Sequence, residues 1–131
     1  GTAGFVENRP GWEMPVHDLL VETGVTAVFH GHDHLFACQQ LDGIVYQEVP
    51  QPGTPANYRK SPGTEYGYVQ GEILASPGHL RVTVLSDRVQ VDYIHAALPA
   101  ASVGPIANGE VAFSYVIPPP NDGGPAAGEA R

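Results

Sequence analysis

The sequence predicts an α+β chain of the α/β class: one short helix and one buried strand lead into a mostly antiparallel β-meander. Three observations carry that expectation. Apolar residues at helical spacing, Val16, Leu19 and Leu20, stop at Gly24 and give way at once to the β-branched run Val25 to Phe29. Farther on, Leu80, Val82 and Val84 alternate with Arg81 and Thr83, and Val89, Val91 and Tyr93 with Gln90 and Asp92, the period of strands with one wet face. With 16 glycines and 13 prolines in 131 residues, turns come too often for long helices to dominate.

Taken in order, Gly1 to Gly11 lack periodicity and read as loop. Pro15 has the fixed φ of a first helical turn and Gly24 supplies a stop, so the helix runs over about Pro15 to Thr23. Val25 to Phe29 follow as a buried strand. Leu35 to Leu41 and Ile44 to Val49 are two strands joined at Asp42-Gly43, a strong hairpin signal. Pro50 to Thr64 carries four prolines and two glycines and reads as a loop. Tyr66 to Ala75, Leu80 to Ser86 and Val89 to Ala96 are three further strands, with turns at Ser76-Pro77-Gly78 and Asp87-Arg88, and Val111 to Ile117 adds a last one. Pro118 to Arg131 has few large apolar residues and reads as a disordered tail. The expected organisation is one domain over residues 1–117 and a tail over 118–131. At 42% apolar residues the chain can bury a core of its own.

A formal charge of −8, from 14 acidic and 6 basic side chains, excludes the clustered Lys and Arg that a nucleic-acid backbone or an anionic membrane surface demands. Phosphate remains a possible local partner where metal ions supply the positive charge. The single cysteine, Cys38, cannot form an internal disulfide and reads as a small core residue. No apolar run is long enough for a membrane-spanning helix. The chain opens at Gly1 without an initiating methionine and reads as a piece of a longer protein.

The informative residues are His30, His32 and His34, three histidines in five positions immediately after a strand, where α/β sheets place ligand sites. Imidazole is the commonest transition-metal ligand near neutral pH. A locally extended His32 and His34 project to one side, Asp33 points away, and Gly31 lets the backbone turn sharply. From these residues alone, metal binding and a solvated loop both stand open.

The stretch Val28 to Ala37, VFHGHDHLFA, resembles the closing Gly-His-x-His motif of calcineurin-like metallophosphoesterases, including their purple-acid-phosphatase-like members. The order of elements matches that family over about Gly1 to Val49, and Tyr66 to Ala96 is similar to its terminal strands. The resemblance implies the C-terminal half of a four-layer sandwich. It implies that His32 binds one metal and His34 the other of two divalent or mixed-valence transition metal ions (Fe, Mn or Zn) in the full-length parent. It further implies hydrolysis of a phosphate-ester substrate, with His30 outside the ligand set. The family's upstream Asp-x-His, Gly-Asp and Gly-Asn-His segments are absent from this sequence. Two histidines cannot hold a catalytic metal pair, so the chain alone is expected to be inactive.

Other candidates are weaker. His17 falls inside the predicted helix and reads as a solvated or packing residue; His79 falls in a turn and His95 at a strand end. Asn57, Tyr58, Arg59 and Lys60 place a local positive pair in the long loop. Neither a serine elbow nor an activated thiol is recognisable. Two alternatives accompany the hydrolase reading. One is a single-metal cupin-like barrel, which expects a glutamate where Cys38 and Gln39 stand; the other is a non-catalytic β-rich accessory domain.

Overall fold

The computed structural model describes residues 4–53, 66–96 and 107–119. These form two short helices and seven strands in two sheets, an α+β architecture dominated by β-structure. The Asn57 to Lys60 loop lies outside the described residues, as does the tail beyond Pro119.

A single helical turn, α1 (Phe5–Asn8), stands where a loop is expected. It is closed by Asn8 N–H to Gly4 O at 3.0 Å and Arg9 N–H to Phe5 O at 2.9 Å. It buries no residue, so no apolar period marks it in the sequence. Helix α2 (Val16–Glu22) begins after Pro15 and ends where Gly24 takes φ 71°. It also buries no residue; Val16, Leu19 and Val21 are exposed. His17 ties α2 to the sheet: its Nδ1 lies 2.7 Å from the Tyr46 hydroxyl and its Nε2 lies 2.8 Å from Asp42 Oδ2.

The first sheet contains β1 (Ala27–His30), β2 (Phe36–Leu41), β3 (Ile44–Glu48) and β4 (Glu72–Leu74), in the spatial order β1-β3-β2-β4. β1 runs parallel to β3; the other pairs are antiparallel. Rather than a buried strand, β1 is, among the described residues, an edge with one neighbour, and Phe29 is exposed. The β2–β3 hairpin turns at Asp42 (φ 48°) and Gly43 (φ 80°), the two positive φ values that a tight two-residue hairpin requires. The long strand expected over Tyr66 to Ala75 shrinks to β4. Gly67 and Gly71 hold positive φ, and Gly71 lies so close to the Cys38 carbonyl that a Cβ there would collide with it.

The second sheet is a meander of β5 (Gly78–Val84), β6 (Val89–His95) and β7 (Val111–Ile117). On β6 alternation divides the faces as the sequence predicts, but on β5 only Leu80 joins the core, and Val82 and Val84, expected inward, are exposed. Outward, Asp92 gathers Arg81 Nη2 at 2.7 Å, Gln90 Nε2 at 3.0 Å and Ser114 Oγ at 2.7 Å. Inward, Val91 and Ile117 pack with Val45 of the first sheet, joined by Ala27, Cys38, Leu80 and Tyr115. Phe36 stacks on Tyr93 at 4.7 Å between ring centroids and meets Phe113 edge-on at 5.7 Å. Sheet-on-sheet burial is thus the main apolar contribution. The opposite face of the first sheet has its own cluster of Leu35, Ala37 and Tyr68 with Ile73.

Candidate functional site

The strand order dictates what happens at His30 to His34. β3 lies between β1 and β2, so the chain leaving β1 must pass over the end of β3 to begin β2. Two strand spacings are about 9–10 Å, whereas the six steps from His30 to Phe36 could reach roughly 20 Å if extended. The segment therefore has slack and folds back as an arch. It does so at His32 (φ 125°) and His34 (φ 61°), both in the region that side chains disfavour at about 1–3 kcal/mol each. This differs from the locally extended pair expected from sequence. The sharp conformation also does not fall on Gly31, where an added Cβ would meet open space.

Polar groups of the surrounding scaffold hold the arch. Glu48, the last residue of β3 and the register partner of His30, is fully buried beneath it. Its Oε1 accepts the Asp33 N–H at 2.8 Å. Its Oε2 lies 2.6 Å from His30 Nδ1, a close contact in which that buried oxygen makes no hydrogen bond. The Tyr68 hydroxyl donates to Asp33 Oδ2 at 2.7 Å. The Ser76 hydroxyl donates to the His34 carbonyl at 2.6 Å and accepts the Gln51 N–H at 3.1 Å. His30 accepts a backbone bond from Val49 N–H at 2.7 Å.

The histidines differ in setting. His32 has a side chain 90% exposed, with Nδ1 2.9 Å from Asp33 Oδ1. That hydrogen bond, helped by the Asp33 charge, raises the His32 pKa above the ordinary imidazole value. The same bond, followed by that of Tyr68, holds Asp33 below the usual carboxylate range. Burial, with Asp33 and Glu48 adding to it, pushes the Tyr68 phenol well above its ordinary value. His34 is exposed on the arch. His30 lines a cavity of about 550 Å³ on the outer face of the first sheet, with His17, Gln39, Tyr46 and Tyr68 among its walls.

His32 and His34 thus stand on one exposed arch at the C-terminal ends of two parallel strands. Among the described residues, no three His, Cys, Asp or Glu side chains converge as metal ligands. His17 packs between helix and hairpin, His79 falls within β5 instead of a turn, and the His95 ring lies 5.0 Å from that of Tyr93. Sequence reasoning missed Glu48, Tyr68 and Ser76. Glu48 could be found only by pairing β1 with β3 in parallel, which sets it opposite His30. No helix of the described residues is long and apolar enough to cross a membrane.

Comparison with protein-family models finds no match for this chain, and neither does comparison with curated protein sequences.

Proposed function

We propose that this chain carries one metal-binding motif of a dinuclear phosphate-ester hydrolase of the calcineurin-like metallophosphoesterase kind, with His32 and His34 as its ligands. The observation that carries the reading is the exposed arch Gly31-His32-Asp33-His34. It is set on the ends of parallel strands and pinned at the Asp33 amide and the His34 carbonyl. Two imidazoles are part of a ligand set, which carboxylate and further imidazole donors would complete. When bound, a metal pair (Fe, Mn or Zn) supplies a nucleophilic hydroxide and stabilises charge on the phosphoryl oxygens. The residues of this chain hold two ligands in fixed directions. Asp33 is engaged by Tyr68 and His32 and stays outside the ligand set.

The test uses the longer parent protein, measuring its metal content and its hydrolysis of p-nitrophenyl phosphate. Replacement of His32 or His34 by alanine there should reduce bound metal and cut turnover by at least 100-fold, with the circular-dichroism spectrum unchanged. Full activity in both variants would remove the reading and leave a β-rich accessory module as its successor.

A further inference from the structure

We propose that Glu48 is the positioning residue of the histidine arch: from beneath, its carboxyl group holds the Asp33 amide, and so sets the directions in which His32 and His34 present their imidazoles. The consequence for metal affinity rests on His32 and His34 being ligands; the positioning itself does not.

Three features of Glu48 point the same way. It is fully buried, although it closes a strand whose other residues on that face, Ile44 and Tyr46, are apolar or aromatic. Burial of a carboxyl group is costly unless its oxygens are used, and an apolar side chain of similar length would fill the same place without that cost. Its two oxygens meet two successive parts of the arch, the Asp33 N–H at 2.8 Å and the His30 ring at 2.6 Å. Finally, it lies where the topology requires something: the arch crosses the end of β3, and Glu48 is the residue at that end. Without an acceptor there, the Asp33 N–H between two positive-φ histidines has no described partner to hold it. Ser76 holds the far end of the arch at the His34 carbonyl and cannot replace the contact at Asp33.

A carboxyl group that orients the backbone between two ligands acts at one remove from a metal. Loss of such outer groups typically weakens metal binding tenfold to 100-fold.

The experiment compares Glu48→Gln, which keeps an acceptor oxygen, with Glu48→Met, which keeps length and removes it. Two quantities are read on the 131-residue chain: solvent exchange of the Asp33 amide by NMR, and the dissociation constant for Zn²⁺ by calorimetry. Glu48→Met should expose the Asp33 amide to exchange and weaken Zn²⁺ binding tenfold to 100-fold, while Glu48→Gln keeps both near the starting values. If the two variants behave alike in both readouts, the proposal is overturned. Should Glu48→Met fail to fold, the Asp33 amide decides: protection in the unmodified chain and in Glu48→Gln supports the proposal, and exchange at the rate of an unstructured peptide overturns it. His32→Ala combined with His34→Ala separates the two readings. Unchanged Zn²⁺ binding there removes the ligand assignment, while the Asp33 exchange still judges Glu48.

Discussion

Replacing Tyr68 by phenylalanine tests whether the arch is held from its second side. The phenol donates to Asp33 Oδ2 at 2.7 Å, and the ring itself is buried against Leu35 and Ala37, so Phe keeps the packing and deletes one hydrogen bond. A hydrogen bond to a charged partner contributes about 1.5–3 kcal/mol. The Asp33 side chain is 18% exposed, so water recovers part of that loss. The expected cost is therefore about 1–2 kcal/mol, small against a typical total of about 5–15 kcal/mol. Urea unfolding followed by far-ultraviolet circular dichroism measures it, with an unchanged denaturant slope showing that the unfolded state is the same. A double-mutant cycle with Asp33→Asn assigns the loss to this pair, because a coupling energy of about 1 kcal/mol is expected only for groups in contact. Tyr68→Phe within about 0.3 kcal/mol of the unmodified protein, with no coupling to Asp33→Asn, would refute the idea that the phenol restrains the arch.

Phe36→Ala should cost about 3–5 kcal/mol in the same assay, because a fully buried ring stacked on Tyr93 and edge-on to Phe113 leaves a cavity between the sheets. Asp92 is held down to about 2 by Ser114, Arg81 and Gln90. A depressed carboxylate stabilises the fold fully above its ordinary value of 3.8, and that contribution fades as pH falls toward about 2. The melting midpoint should therefore drop across that window, and Asp92→Asn should flatten the drop. Burial raises the Cys38 thiol above its ordinary pKa, so iodoacetamide at pH 8 should label the native chain at least tenfold more slowly than the urea-unfolded one, as mass spectrometry would show.

What the sequence made legible is what local rules govern. Asp42-Gly43 announced its hairpin because few other residues accept two successive positive φ values. The inward Val91 and Tyr93 and the outward Asp92 followed from a period of two. The failures share a cause, which is dependence on partners distant along the chain. The helix over Val16 to Glu22 shows an apolar spacing but no described element covers it, so amphipathicity located the helix and not its burial. Tyr66 to Gln70 look strand-like by composition, yet Gly67 and the close approach of Gly71 to β2 end the ladder at β4. The histidines were conspicuous by residue type. Their geometry was not, because it follows from β3 being inserted between β1 and β2, and no local signal in Val25 to Val49 encodes that order.

That insertion has a consequence for the order of assembly. The hairpin of β2 and β3 closes through a two-residue turn, whereas β1 finds β3 only across the whole hairpin, Ala27 coming to lie opposite Val45. Short-range closure costs less chain entropy than long-range closure. The floor beneath the arch is therefore laid before the arch itself, and Glu48 is in position on β3 when β1 arrives alongside. The histidine segment acquires its shape only once the parallel pair has formed, so its conformation reports that β1 is paired with β3.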